Sequence, residues 1–154
     1  SSIEEIAQKN LLSLYLINSS PFSLGQISEK IKSVNFTNKT LIIVKDTIDK
    51  LTKTVNNVSE LTDMLYVEFV NDTQMQELIT DLICISDSFT DLKENEFDFV
   101  IQENIEKLES CKFYEEQKQL KQLYEQANDD ETEALKVQMQ LRDKLNKLKT
   151  GENK

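Results

Sequence analysis

The chain has 154 residues, 38% hydrophobic and 30% charged, with no His, no Trp, two Gly and one Pro. So little Gly and Pro leaves almost no material for hairpin turns or a Gly-rich phosphate loop, which comes close to excluding an all-β or nucleotide-cradling protein. The formal charge of -10 argues against coating a phosphate backbone, because nucleic-acid affinity rests on Lys and Arg displacing counterions, and it points to a protein partner instead.

Apolar positions recur at helical spacing nearly throughout, which predicts seven helices and no sheet. Ser2-Ile3-Glu4-Glu5 reads as a capping box, with Glu5 reaching back, ahead of a first helix that carries Ile6, Leu11 and Leu14 and runs to about Ile17. Asn18-Ser19-Ser20-Pro21 breaks it, since Pro cannot extend a helix and biases its predecessor to extended geometry. A short second helix follows, with Leu24, Ile27 and Ile31. After the Asn35–Asn38 turn, Leu41, Val44, Ile48, Leu51 and Val55 form one face of a long third helix. Asn57 with Glu60 caps a fourth, bearing Val58, Leu61, Leu65 and Phe69. Asn71-Asp72-Thr73 opens a fifth, with Met75, Leu78, Leu82 and Phe89. The core is expected from Leu14, Leu41, Val44, Ile48, Leu65, Leu82 and Ile105.

Beyond the polar segment Asp91–Glu96, a very long sixth pattern runs from Phe97 to Ala127, and a last helix spans about Asp130 to Lys149, capped by Asp130 with Glu133. The sixth helix changes face along its length. Phe97, Ile101, Ile105 and Leu108 share one stripe, whereas Phe113, Leu120, Leu123, Tyr124 and Ala127 lie roughly 100° around the axis. Its second half should therefore zip against Ala134, Val137, Leu141, Leu145 and Leu148 of the seventh helix as an antiparallel hairpin. The expected architecture is all-α: a helical bundle of five to six helices over residues 1–111, joined by the long helix to a hairpin subdomain over 112–154. Charge divides along the same seams. Residues 1–55 carry 5 acids and 7 bases, 56–111 carry 14 and 2, and 112–154 carry 9 and 9.

Candidate chemistry is sparse. Without His, a hydrolytic triad and the commonest metal ligand are both missing. Carboxylate pairs such as Glu94, Glu96 and Asp98, or Glu115 and Glu116, occupy polar helix faces with no apolar pocket to raise a pKa. The Asp87/Asp91 and Asp129-Asp130-Glu131 clusters lack the alternating oxygens and central Gly of a calcium loop. Cys84 and Cys111 have no CxxC spacing and read as buried packing residues of a reduced, cytoplasmic protein. No segment offers the apolar run of a membrane span, and no catalytic residue, cofactor or metal site is expected.

The hairpin is where a functional reading competes with a bland one. A two-helix hairpin with a single apolar seam buries little and should dock against something. The basic terminal helix suits its own macrodipole. It also suits an interface with an acidic-rimmed protein, for which Leu120, Leu123, Tyr124, Leu135, Leu141, Arg142, Leu145 and Leu148 are the candidate contacts.

The opening Ile3-Glu4-Glu5-Ile6 followed by Asn10-Leu11-Leu12-Ser13-Leu14-Tyr15-Leu16 resembles the start of the C-terminal, helicase-binding domain of bacterial DNA primase. So do Phe36 before Leu41-Ile42, then Leu61 to Phe69, then Gln76-Glu77-Leu78-Ile79 with Leu82. Ile105–Leu108, Leu120–Leu123, the acidic turn at 128–131 and Leu135–Lys149 resemble that family's terminal hairpin. The resemblance covers essentially the whole chain. It implies a non-catalytic module that binds the N-terminal domain of the hexameric replicative helicase. The zinc- and magnesium-using parts of the primase would precede Ser1, which reads as the start of a fragment. Direct nucleic-acid or membrane binding is not expected, and a weak homodimer is left open. Two alternatives accompany this reading. One is the N-terminal domain of the helicase itself. The other is an unrelated coiled-coil adaptor, self-associating through the 41-44-48-51-55 seam.

Overall fold

The computed structural model describes residues 2–127 and 131–151, and of 131–134, 150 and 151 the backbone alone. It is all-helical, with seven α-helices, 79% helix and no strand among the described residues. The helices are α1 (Ile3–Ser13), α2 (Leu24–Ile31), α3 (Lys39–Leu51), α4 (Val58–Glu68), α5 (Thr73–Ser86), α6 (Glu94–Gln126) and α7 (Glu131–Gly151). The chain forms two compact units that divide after Lys107, four residues ahead of the expected boundary at Cys111.

Local chemistry sets the helix starts. Ser2, Ser23, Asn38, Asn57 and Asp72 each accept a hydrogen bond from the amide three residues on, satisfying one orphan N–H of the first turn. The full reciprocal capping box belongs to Ser23 and Gln26, not to Ser2 and Glu5: the Gln26 side chain accepts from the Ser23 amide, whereas Glu5 only donates its own amide to Ser2. Glu60 does reach back, but to the amide of Asn56, 2.8 Å away, one residue ahead of its cap. The Asp130 cap expected for α7 lies outside the described residues.

Three helices stop earlier than their apolar spacing predicts; α5 ends at Ser86 and passes into a 3-10 turn over Asp87–Phe89 instead of carrying Phe89 as α-helix. The first ends at Ser13 and tightens into a 3-10 turn over Leu14–Leu16 instead of continuing as α-helix to Ile17. Leu14, Tyr15, Leu16 and Ile17 are all buried, which one stripe of an α-helix cannot achieve. The turn touches α1, α2, α4 and α5 and is the hub of the first unit. The third helix ends at Leu51, short of Val55. There the Thr52 and Thr54 hydroxyls donate to the carbonyls of Asp49 and Leu51, and the Thr54 and Val55 amides both turn back to Leu51.

Around the hub, α1 packs on α3 and α5, and α4 closes against α3 and α5. Leu41, Val44, Ile48 and Leu51 fill this interior. The expected core holds at six positions; Ile105 is only half-buried, and Asn104 takes the buried place, donating to the Val100 carbonyl and accepting from Asn10 at 3.1 Å. On α5 the buried residue is Ile79, with Leu78 half-buried, because α5 presents the Met75–Ile79–Leu82–Ser86 stripe. Phe97 of α6 meets Phe22 edge-on at 5.2 Å, and Lys30 lies over the Phe22 ring while pairing with Asp98 at 2.8 Å. No described buried side-chain N or O lacks a hydrogen bond. The cysteines depart from expectation: Cys84 is exposed on the outer face of α5, Cys111 is half-buried, and both are free thiols.

Candidate interaction surface

The second unit pairs the last third of α6 with α7. Lys144 donates to Glu116 at 2.8 Å and Gln138 donates to the Tyr124 hydroxyl at 3.1 Å. As the chain advances from 116 to 124 along α6, its partner retreats from 144 to 138 along α7, so the two helices run antiparallel. The Lys144 ammonium, through that hydrogen bond, holds the Glu116 carboxyl below the usual carboxylate range.

Placed at 100° per residue, Val137, Leu141, Lys144 and Leu148 occupy a narrow arc of α7. These are its less exposed side chains: Val137 is buried, and Leu141, Lys144 and Leu148 are half-buried. Leu120 and Tyr124 are half-buried on the facing arc of α6 with Glu116. Four of the eight predicted contacts, Leu120, Tyr124, Leu141 and Leu148, therefore hold the hairpin to itself.

The other four stand outward or at an opening. Leu135 and Arg142 share the opposite arc of α7 with Met139, and Leu135 and Met139 are each 59% exposed. Leu145, 40% exposed, sits between the two arcs. Leu123 is half exposed where it lines an open cleft of about 430 Å³ with Ala127, Lys136, Val137 and Gln140. Met139 was absent from the sequence-derived set. The signal for it lay in α7 itself, where the spacing Leu135–Met139–Arg142 repeats the four-three rhythm one face away from Val137–Leu141–Lys144.

The first unit has a cleft of about 500 Å³ between the Ile17–Ile27 and Thr52–Ser59 segments. Its lining mixes Phe22, Leu24, Val55 and Val58 with Ser, Thr and Asn, and includes no ionisable side chain. Such a wall can bind but has no group that moves a proton near neutral pH. The most perturbed ionisable group among the described residues is Tyr15, whose phenol lies 3.2 Å from Asp49 and 3.3 Å from Ser28. Burial pushes it up well past the ordinary tyrosine value, the Ser28 hydrogen bond opposes this, and the Asp49 charge adds to it. It is a core group with satisfied partners. Among the described residues no three His, Cys, Asp or Glu side chains converge as a metal site, and no helix is long and apolar enough to cross a membrane.

Compared with protein families, with curated proteins and with solved structures, the chain finds no match in any of the three.

Proposed function

We propose that this chain is a non-catalytic docking domain, the part of a bacterial DNA primase that binds the N-terminal domain of the hexameric replicative helicase in the cytoplasm. Two things support the reading: the ordered resemblance along the whole sequence, and the outward stripe of Leu135, Met139 and Arg142 on α7. The stripe is the observation that carries it. Large apolar side chains left in water on a helix whose opposite face is already packed have the form of a helix-in-groove contact, and Arg142 beside them suits an acidic rim. Docking makes and breaks no bond. It tethers primer synthesis to unwinding by raising the effective concentration of one at the other. Nothing in the reading needs a cofactor here; zinc and magnesium belong to the catalytic parts of the parent primase. A coiled-coil adaptor is less well supported, because Leu41, Val44, Ile48 and Leu51, its proposed seam, are buried inside the first unit.

The test is calorimetric titration of the chain into the replicative helicase of the same source. Wild type should bind, and Leu135→Asp with Met139→Asp should weaken binding by at least about 100-fold, since two interface anchors at ~1.4 kcal/mol or more each are removed. The circular dichroism of that variant should be unchanged, because both positions are solvent-facing. Binding that survives the double substitution moves the contact elsewhere. A folded chain that gives no heat with an intact hexamer removes the helicase reading.

A further inference from the structure

Glu60, Asp63, Met64, Val67 and Glu68 lie within about 140° of arc on α4 and are all exposed, whereas Leu61 and Leu65, next to that arc, are buried. Val67 is 61% exposed, and Val70, just past the helix, is 65% exposed. This gives a short apolar strip flanked by three carboxylates and no base. None of the ion pairs among the described residues engages those acids. Glu60 and Asp63 are like charges three residues apart, an arrangement that costs an isolated helix a few tenths of a kcal/mol. An external cation between them removes that repulsion. The surrounding segment, residues 56–111 with 14 acids to 2 bases, extends the same negative field.

We propose that the solvent face of α4 is a second docking surface, and that its occupant is a basic amphipathic helix of a protein partner. The apolar strip of that helix would cover Met64, Val67 and Val70, and its Lys or Arg side chains would straddle Glu60, Asp63 and Glu68. Charge complementarity selects this occupant: nucleic acid and anionic lipid are repelled, and a neutral helix would leave Asp63 and Glu68 desolvated at its edge without partners and Glu60 with only the Asn56 amide. The surface lies wholly in the first unit and is independent of the helicase reading of α7.

The probe is a fluorescent helical peptide of about 18 residues built of Leu and Lys with one apolar face, alongside a scrambled peptide of the same composition. Both are titrated against the full chain and read by anisotropy. The patterned peptide should bind, more tightly at low salt, and the scrambled one at least about tenfold more weakly. Val67→Asp removes apolar area yet adds negative charge, and should still weaken binding by about tenfold. Glu60→Gln with Asp63→Asn and Glu68→Gln should weaken it similarly and flatten the salt dependence, whereas Glu77→Gln with Asp87→Asn on α5 and the turn after it should change it less than about twofold. Equal binding of the two peptides, or of wild type and Val67→Asp, reduces the surface to net-charge attraction and overturns the proposal. So does no binding at low salt, an unchanged affinity in the α4 triple variant, or a loss in the α5 control as large as in that variant.

Discussion

Tyr15 shows how one buried residue ties stability to pH. Its phenol is neutral in the fold and is pushed up mainly by burial, so folded and unfolded chains differ only once alkali reaches the ordinary tyrosine range, about 10. Below that range the two states hold the same proton and the contribution is fully present. Above it the unfolded chain ionises first and stability falls. Alkaline melting should therefore be less steep in Tyr15→Phe than in wild type. At neutral pH that variant should be less stable by about 1 kcal/mol, from the lost contacts to Ser28 and Asp49. Thermal melts at neutral pH and near pH 11 check both signs. Burial of Leu14 was legible from its place in the apolar series. That Tyr15 and Leu16 would be buried beside it was not, because consecutive apolar residues exceed the width of one helical stripe. Cys84 failed for a related reason. Its type favours burial, but α5 already presents Met75, Ile79, Leu82 and Ser86 inward, and position 84 falls on the opposite side.

At the scale of elements, caps were legible because they are local: a Ser, Asn or Asp and an amide three residues on suffice. Helix ends were less so, since the stops at Ser13 and Leu51 depend on tertiary burial of a 3-10 turn and on threonine hydroxyls that bond to carbonyls. The seam expected on α7 already held Val137, Leu141 and Leu148 and left out Leu135, but the expected partner contacts drew on both faces of the helix. The pairing of 116 with 144 and 124 with 138 shows that Leu141 and Leu148 are on the covered face and Leu135 and Arg142 are not. Lys144–Glu116 is the one ion pair described between α6 and α7, and it is partly exposed, worth no more than about 1 kcal/mol. Because the folded carboxyl of Glu116 is depressed, its contribution is present above the ordinary carboxylate range and disappears as pH falls through the folded value. Acid should therefore loosen the α6–α7 pairing, and Glu116→Gln should blunt the response. A pH series of hydrogen exchange at the α7 amides of both proteins checks this, and identical profiles would remove Glu116 from the account.

For the whole molecule, the two units differ in what holds them. Of the buried apolar residues described, only Val137 belongs to the second unit, and the rest fill the first. Hydrophobic burial is the main stabilising term in folding, so heating should melt α7 and the last third of α6 before the bundle. Scanning calorimetry should resolve two transitions, the first small and the second cooperative, with Val137→Asp removing the first and leaving the second in place. A single transition that shifts as a whole in Val137→Asp would show one cooperative block instead. The buried 3-10 turn carries a consequence for synthesis. Its neighbours include α5, which ends some 70 residues downstream, and next to it Lys9 pairs with Asp81 and Asn10 with Asn104. The segment that holds the turn leaves the ribosome ahead of those partners and must wait for them, with Leu11, Leu12, Leu14 and Leu16 uncovered for several seconds at ~5 to 20 residues per second. The stretch that anchors the finished protein is thus the one most in need of a holding chaperone while the chain is being made.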